Sequence, residues 1–173
     1  MSGTIFRGIL GGLVVVLLMG VTGSGKTTTG RLLARDLGWE FADADSFHPA
    51  ANVEKMRLGI PLDDADRAPW LEALRMAITG YIAENNNVVL ACSALKRTYR
   101  ESLLVGPQVR LVYLKGNYEM MAVRLRERPG HFADERILAG QFRDLQEPEG
   151  AVVVDAGAQP EQIVLEIRES LGL

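Results

Sequence analysis

The segment Gly20-Val21-Thr22-Gly23-Ser24-Gly25-Lys26-Thr27 constrains this chain more than any other. It fits the pattern of a glycine, four residues, then Gly-Lys-Thr, whose backbone amides wrap a phosphate group. Its flanks agree with that reading. Leu13 to Met19 is apolar on both faces, the mark of a central parallel strand covered on each side. A helix is expected from Lys26 to about Leu37, with Leu32, Leu33 and Leu37 as its buried stripe and Gly38 as its stop. The glycines let the backbone approach a phosphate without Cβ collisions, and the following helix N-terminus supplies a positive field. Lys26 is expected at the β- and γ-phosphates and the Thr27 hydroxyl on Mg²⁺, with Ser24 and Thr28 adding polar contacts. This identifies a nucleoside triphosphate site but no reaction.

The remaining elements alternate. Glu40 to Ala44, Val88 to Cys92, Val109 to Leu114 and Ala151 to Asp155 read as further strands. Helices are expected over 49–59, 68–84, 94–104, 119–128, about 134–145 and 160–171. Helices between nearly all successive strands imply a parallel three-layer α/β sheet with right-handed crossovers. No repeat, low-complexity tract or linker interrupts the 173 residues, so a single domain spanning 1–173 is expected, with 1–12 as a possible flexible extension.

Composition narrows the partners. Twenty-two acidic residues against 19 basic give a net charge of −3, and no stretch concentrates Lys and Arg. A general nucleic-acid binder is therefore not expected. The apolar run Ile9 to Val21 is too short to span a bilayer, and a signal-peptide cut beyond it would sever the phosphate loop. The single cysteine, Cys92, excludes an internal disulfide and reads as a small buried hydrophobe suited to a reducing cytosol. Two dispersed histidines and one cysteine make no zinc constellation.

Beyond the loop, Asp43-Ala44-Asp45 ends the second strand, where alternation would send both carboxylates to one side of the sheet's carboxyl edge. Asp43 is assigned to the metal and Asp45 to the substrate hydroxyl, which it would orient and deprotonate. An acidic pair capping the next helix is the competing account. His48 follows and can donate to a polar substrate. Arg67, ranked above Lys55, is a candidate for holding an anionic substrate, with ordinary ion pairing to the acidic run Asp63 to Asp66 as the alternative. Ser93, Lys96 and Arg100 are expected to face the same crevice from the end of the third strand. On the helix before Pro129-Gly130, Arg124 and Arg128 share a face while Arg126 turns away, which suits a lid over about 124–140; a solvated basic face competes. The turn Asp155 to Pro160 either contacts adenine or simply joins two elements.

Taken together, these segments resemble the gluconokinase family, small P-loop carbohydrate kinases related to shikimate and adenylate kinases. The resemblance covers about 13–171. Besides the loop it rests on Asp43-Ala44-Asp45-Ser46-Phe47-His48-Pro49, Asn52-Val53-Glu54-Lys55-Met56 and Pro61 to Leu71. It also rests on Cys92 to Arg100, Gly130-His131-Phe132, Gln141-Phe142 and Leu145 to Pro148. It implies Mg²⁺-dependent transfer from ATP to the 6-hydroxyl of D-gluconate, feeding the pentose phosphate or Entner–Doudoroff routes, in a cytoplasmic homodimer. It also implies the strand order 2-3-1-4-5, substrate residues at Asp45, His48, Arg67, Lys96 and Arg100, and lid arginines at Arg124 and Arg128. Thr27-Thr28-Thr29 departs mildly from the family, where serine and small residues are also common. Two rivals stay open: a kinase of another small hydroxy acid such as shikimate, and a regulatory nucleotide-hydrolysing protein. The absence of an Asn-Lys-x-Asp segment argues against a GTPase.

Overall fold

The structure, a computed structural model, describes residues 12–127 and 134–173. The expected extension therefore lies outside the described residues except for Gly12, as do Arg128, His131 and Phe132 of the expected lid. Five strands form one parallel sheet: β1 (Val15–Met19), β2 (Glu40–Asp43), β3 (Val88–Ala91), β4 (Val109–Lys115) and β5 (Val152–Asp155). Their order is β2-β3-β1-β4-β5, as expected. The helices are α1 (Lys26–Leu37), α2 (Ala50–Arg57), α3 (Asp64–Ala83), α4 (Arg97–Leu103), α5 (Tyr118–Arg126), α6 (Asp134–Asp144) and α7 (Pro160–Leu171).

Alternation along the central strands explains the three layers. Val16 and Leu18 of β1, Val112 and Leu114 of β4, and Val154 pack with Leu33 of α1, Met121 and Leu125 of α5, Leu138 of α6, and Ile163 and Ile167 of α7. Val15, Leu17 and Met19, with Leu111 and Tyr113, face the other way onto Trp70, Leu74 and Ile78 of α3 and Leu103 of α4. All five residues of β1 are fully buried, which is why the strand is apolar on both faces. Because all strands run parallel, the loops after β1, β2 and β3 meet at one edge. That edge carries the site.

Several boundaries differ from the sequence reading by a few residues, and at β2, α3 and α4 the cause is local. β1 begins at Val15. The second strand stops at Asp43, since the chain coils into a 3₁₀ turn over Ala44–Phe47 with Asp43 as its cap. α3 starts at Asp64, not at 68, because Asp63 and Asp66 close a reciprocal capping box. Asp66 N–H donates to Asp63 Oδ1 at 2.7 Å and Asp63 N–H to Asp66 Oδ2 at 3.1 Å. α4 starts at Arg97, not at Ala94, because Ala94 takes a left-handed φ of 46° that a helix cannot accommodate.

Candidate active site

The phosphate loop joins β1 to α1. A Cβ at Gly20 would sit 2.5 Å from Ser24 Oγ and 3.0 Å from the Leu114 carbonyl oxygen, so only glycine allows this close approach. Gly25 caps α1 at a φ of 91°, aiming the first-turn amides at the loop. Lys26 Nζ donates to the Val21 carbonyl at 3.0 Å, which holds its ammonium over the loop. Ser24 is buried, and its hydroxyl has no hydrogen-bond partner among the described residues. A glycine cradle with an unpartnered buried hydroxyl fits a phosphate group. Thr28 is exposed beside it. From α6, Gln141 reaches the loop, its Oε1 accepting from Thr22 N–H at 2.6 Å. Sequence reasoning attached no role to Gln141; no local signal shows a contact across so much chain.

Asp43 faces the loop. Thr27 Oγ1 lies 3.5 Å from Asp43 Oδ2, so a hydroxyl and a carboxylate stand side by side beside Lys26. Two hard oxygens of this kind fit Mg²⁺, which takes one or two protein ligands alongside phosphate oxygens and water. Asp45 is close to Asp43, but not by strand alternation: it sits on the 3₁₀ turn, its N–H donating to Asp43 Oδ1 at 3.0 Å. The capping role is therefore Asp43's. Asp45 touches solvent in the crevice, yet the crevice walls desolvate it. That desolvation, then the Asp43 charge, raises its pKa, while His48 and Lys26 oppose the shift.

His48 stacks on Trp70, ring centroids 4.6 Å apart and 7° from parallel. Trp70 Nε1 in turn donates to the Ala44 carbonyl at 2.7 Å, tying α3 to the turn that carries Asp45. Burial lowers the His48 pKa, with Asp45 raising it and Arg67 lowering it. Arg67 and Lys96 converge on Asp64. Lys96 Nζ donates to Asp64 Oδ1 at 2.7 Å, the Tyr99 hydroxyl donates to the same oxygen, and Arg67 Nη1 contacts the Tyr99 hydroxyl at 3.4 Å. The hydrogen bonds from Lys96 and then Tyr99 hold the Asp64 carboxyl below the usual range. The ion pairing of Arg67 with the acidic run, the alternative offered by the sequence, is present as an Arg67–Asp64 contact of 3.9 Å, whereas the part played by Tyr99 has no signal in the sequence.

Three candidates occupy other positions. Arg100 departs from the expectation: it is 5% exposed, and its Nη1 donates to the carbonyls of Ala94 and Leu95 at 2.9 and 2.8 Å. It braces the turn that presents Lys96 instead of facing the crevice. Lys55 is paired with Asp66 at 2.6 Å. Arg124 is half-buried and grips backbone, its Nη1 donating to the Gly23 carbonyl at 3.3 Å and its Nη2 to the Ala156 carbonyl at 2.6 Å. It thus links the phosphate loop to the turn after β5. Arg126 is exposed, as its phase on α5 demands. Burial pushes the Cys92 thiol up to about 12, which leaves it inert.

Removing the Arg124 side chain strands two carbonyls, so Arg124→Ala should weaken ATP binding by about tenfold, the scale of a charge-assisted hydrogen bond. Arg126→Ala should change it by less than about twofold, as is usual at exposed positions. Calorimetric titration with ATP checks both, and equal losses would show that the tether does not matter.

With this geometry in view, the relatives are informative. The Shikimate kinase family model matches residues 22–171. A probable gluconokinase of Xenopus tropicalis is 41% identical, over 89% of this chain and 91% of that protein. The chain belongs to the gluconokinase family. A gluconokinase from Sinorhizobium meliloti superposes with a TM-score of 0.83 at 37% identity, covering 92% of this chain and 91% of that one. A shikimate kinase from Aquifex aeolicus reaches a TM-score of 0.57 at 21% identity, over 92% and 96% of the two chains, and shares the fold alone. The chain therefore has the P-loop kinase fold of a gluconokinase.

Proposed function

We propose that this protein is a gluconokinase that transfers the γ-phosphoryl group of ATP to the 6-hydroxyl of D-gluconate, giving 6-phospho-D-gluconate and ADP. The observation that carries the reading is the meeting of the phosphate loop with the Asp43–Asp45 edge, where Thr27 Oγ1 stands 3.5 Å from Asp43 Oδ2 and the Lys26 charge acts on Asp45. The amides of 22–27 and Lys26 Nζ bind the triphosphate and stabilise the charge that develops on it. Thr27 and Asp43 would hold Mg²⁺, which when bound neutralises phosphate charge. Asp45 accepts the proton of the acceptor hydroxyl at a carboxylate oxygen, and its raised pKa makes it a better base. Arg67 and Lys96 supply the positive charge that a sugar-acid carboxylate requires, and His48 feels the charges of both Arg67 and Asp45. The resemblance also assigns Arg128, which lies outside the described residues, to the lid together with Arg124. Arg100 acts on the substrate through the backbone it braces.

Among the described residues no helix is long and apolar enough to cross a membrane. Use of ATP and one buried reduced thiol support a cytoplasmic setting. Light scattering at twice the monomer mass is expected for the homodimer that belongs to this reading.

The test is the rate of ADP formation with a panel of acceptors. D-Gluconate should stimulate it strongly, other aldonic acids weakly and shikimate not at all. Equal stimulation by shikimate would support the rival hydroxy acid, and a rate indifferent to every acceptor would support simple nucleotide hydrolysis.

A further inference from the structure

We infer that Asn52 is a positioning residue that locks His48 in the tautomer protonated on Nε2, making the ring a hydrogen-bond donor to the acceptor substrate; this deepens the functional reading above and rests on it. Asn52 lies on α2 and is only 4% exposed. Its amide nitrogen is 2.8 Å from the Asp66 carbonyl oxygen and 3.3 Å from His48 Nδ1. A backbone carbonyl can only accept, so the atom of the carboxamide that faces it must be the NH₂ group. The contact thus decides the amide orientation. The second hydrogen of the same nitrogen then points at His48 Nδ1, which must answer with its lone pair. A neutral imidazole carries one N–H, and here it is left to Nε2, across the ring.

The rest of the surroundings keeps the ring in that state. Trp70 stacks flat against it and is itself anchored on the Ala44 carbonyl, so ring rotation would break the stack. Asp45 and Arg67 are the charged groups acting on the ring, with opposite signs. Protonating Nδ1 would set one N–H against another. His48 therefore does not serve as the base for the attacking hydroxyl. That proton goes to Asp45, and Nε2–H donates to a hydroxyl or carboxylate oxygen of the substrate, which also disfavours acceptors lacking an oxygen at that place. The two amide hydrogens of Asn52 and the Nε2–H of His48 form a short chain that begins on the capping box of α3 and ends on the substrate, which connects the start of that helix to acceptor recognition.

The tautomer can be read directly. In the ¹⁵N-labelled full chain without substrate, two-bond ¹H–¹⁵N correlation near neutral pH should show His48 with unprotonated Nδ1 and protonated Nε2. The chain has two histidines, so His48→Gln assigns the signals. Asn52→Asp offers Nδ1 only acceptors and should reverse the pattern, raising KM for D-gluconate about fivefold while KM for ATP stays unchanged, the scale of one neutral hydrogen bond. A mixed or Nδ1–H pattern in the unmutated protein overturns the Asn52 assignment and leaves the gluconate reading standing. That first spectrum needs no variant, so poor folding of Asn52→Asp does not shelter the inference. A reversed pattern with an unchanged KM for gluconate overturns the donor role of His48, and with it this part of the substrate site.

Discussion

Lys26→Ala is expected to lower phosphoryl transfer by about 10³-fold, the scale of removing one preorganised donor at a developing charge. The side chain lies over the phosphate loop, held by the Val21 carbonyl, and takes no part in either hydrophobic layer. The variant should therefore keep its thermal midpoint and its circular dichroism while losing turnover. Activity near the unmutated rate in folded protein would remove the lysine from the reaction.

Asp45→Asn should be nearly as damaging and for a different reason. Asparagine keeps the shape of the side chain, and the backbone N–H that ties this residue to Asp43 is untouched. What disappears is the proton acceptor. Phosphorylation of gluconate should fall by about 10²–10⁴-fold, the usual contribution of positioned proton transfer, while ATP affinity survives. Asp43 should behave otherwise. It caps the 3₁₀ turn, so Asp43→Ala should cost about 0.5–2 kcal/mol of stability, and Asp43→Asn should show a turnover defect partly relieved by raising Mg²⁺. Titrating Mg²⁺ and ATP against both variants separates the two carboxylates. Loss of ATP binding in Asp45→Asn would mean that the roles are exchanged.

Much of this architecture is legible in the residues because local and global signals agree. The bounds of α7 match the sequence reading, since Pro160 opens it and Gly172, at a φ of 71°, closes it. α1 is equally well marked by Gly25 and Gly38. The sheet order is a different matter. Apolar runs identify strands but do not rank them, and the order came with the family resemblance. Within the site, the motif residues were legible and their partners were not. Asp45 lies beside Asp43 for a reason other than alternation, because the strand ends at Asp43, two residues before it, and the 3₁₀ turn carries it there. Arg100 shows the limit clearly: its spacing from Lys96 suggests a shared face, but the left-handed Ala94 delays the helix, and the guanidinium turns inward to satisfy the carbonyls thus exposed. Asp64, Tyr99 and Gln141 act through contacts between segments far apart in sequence, which no local pattern encodes.

The central claim is that the crevice between the phosphate loop and Asp45 delivers phosphate to one hydroxyl of a sugar acid. Incubating the unmutated protein with ATP, Mg²⁺ and D-gluconate and examining the product by mass spectrometry and ³¹P–¹H correlation tests it most directly. A phosphate ester coupled to the protons on carbon 6, formed in equal amount with ADP, is the predicted result. ADP accompanied only by inorganic phosphate, or an ester at another carbon, would contradict it.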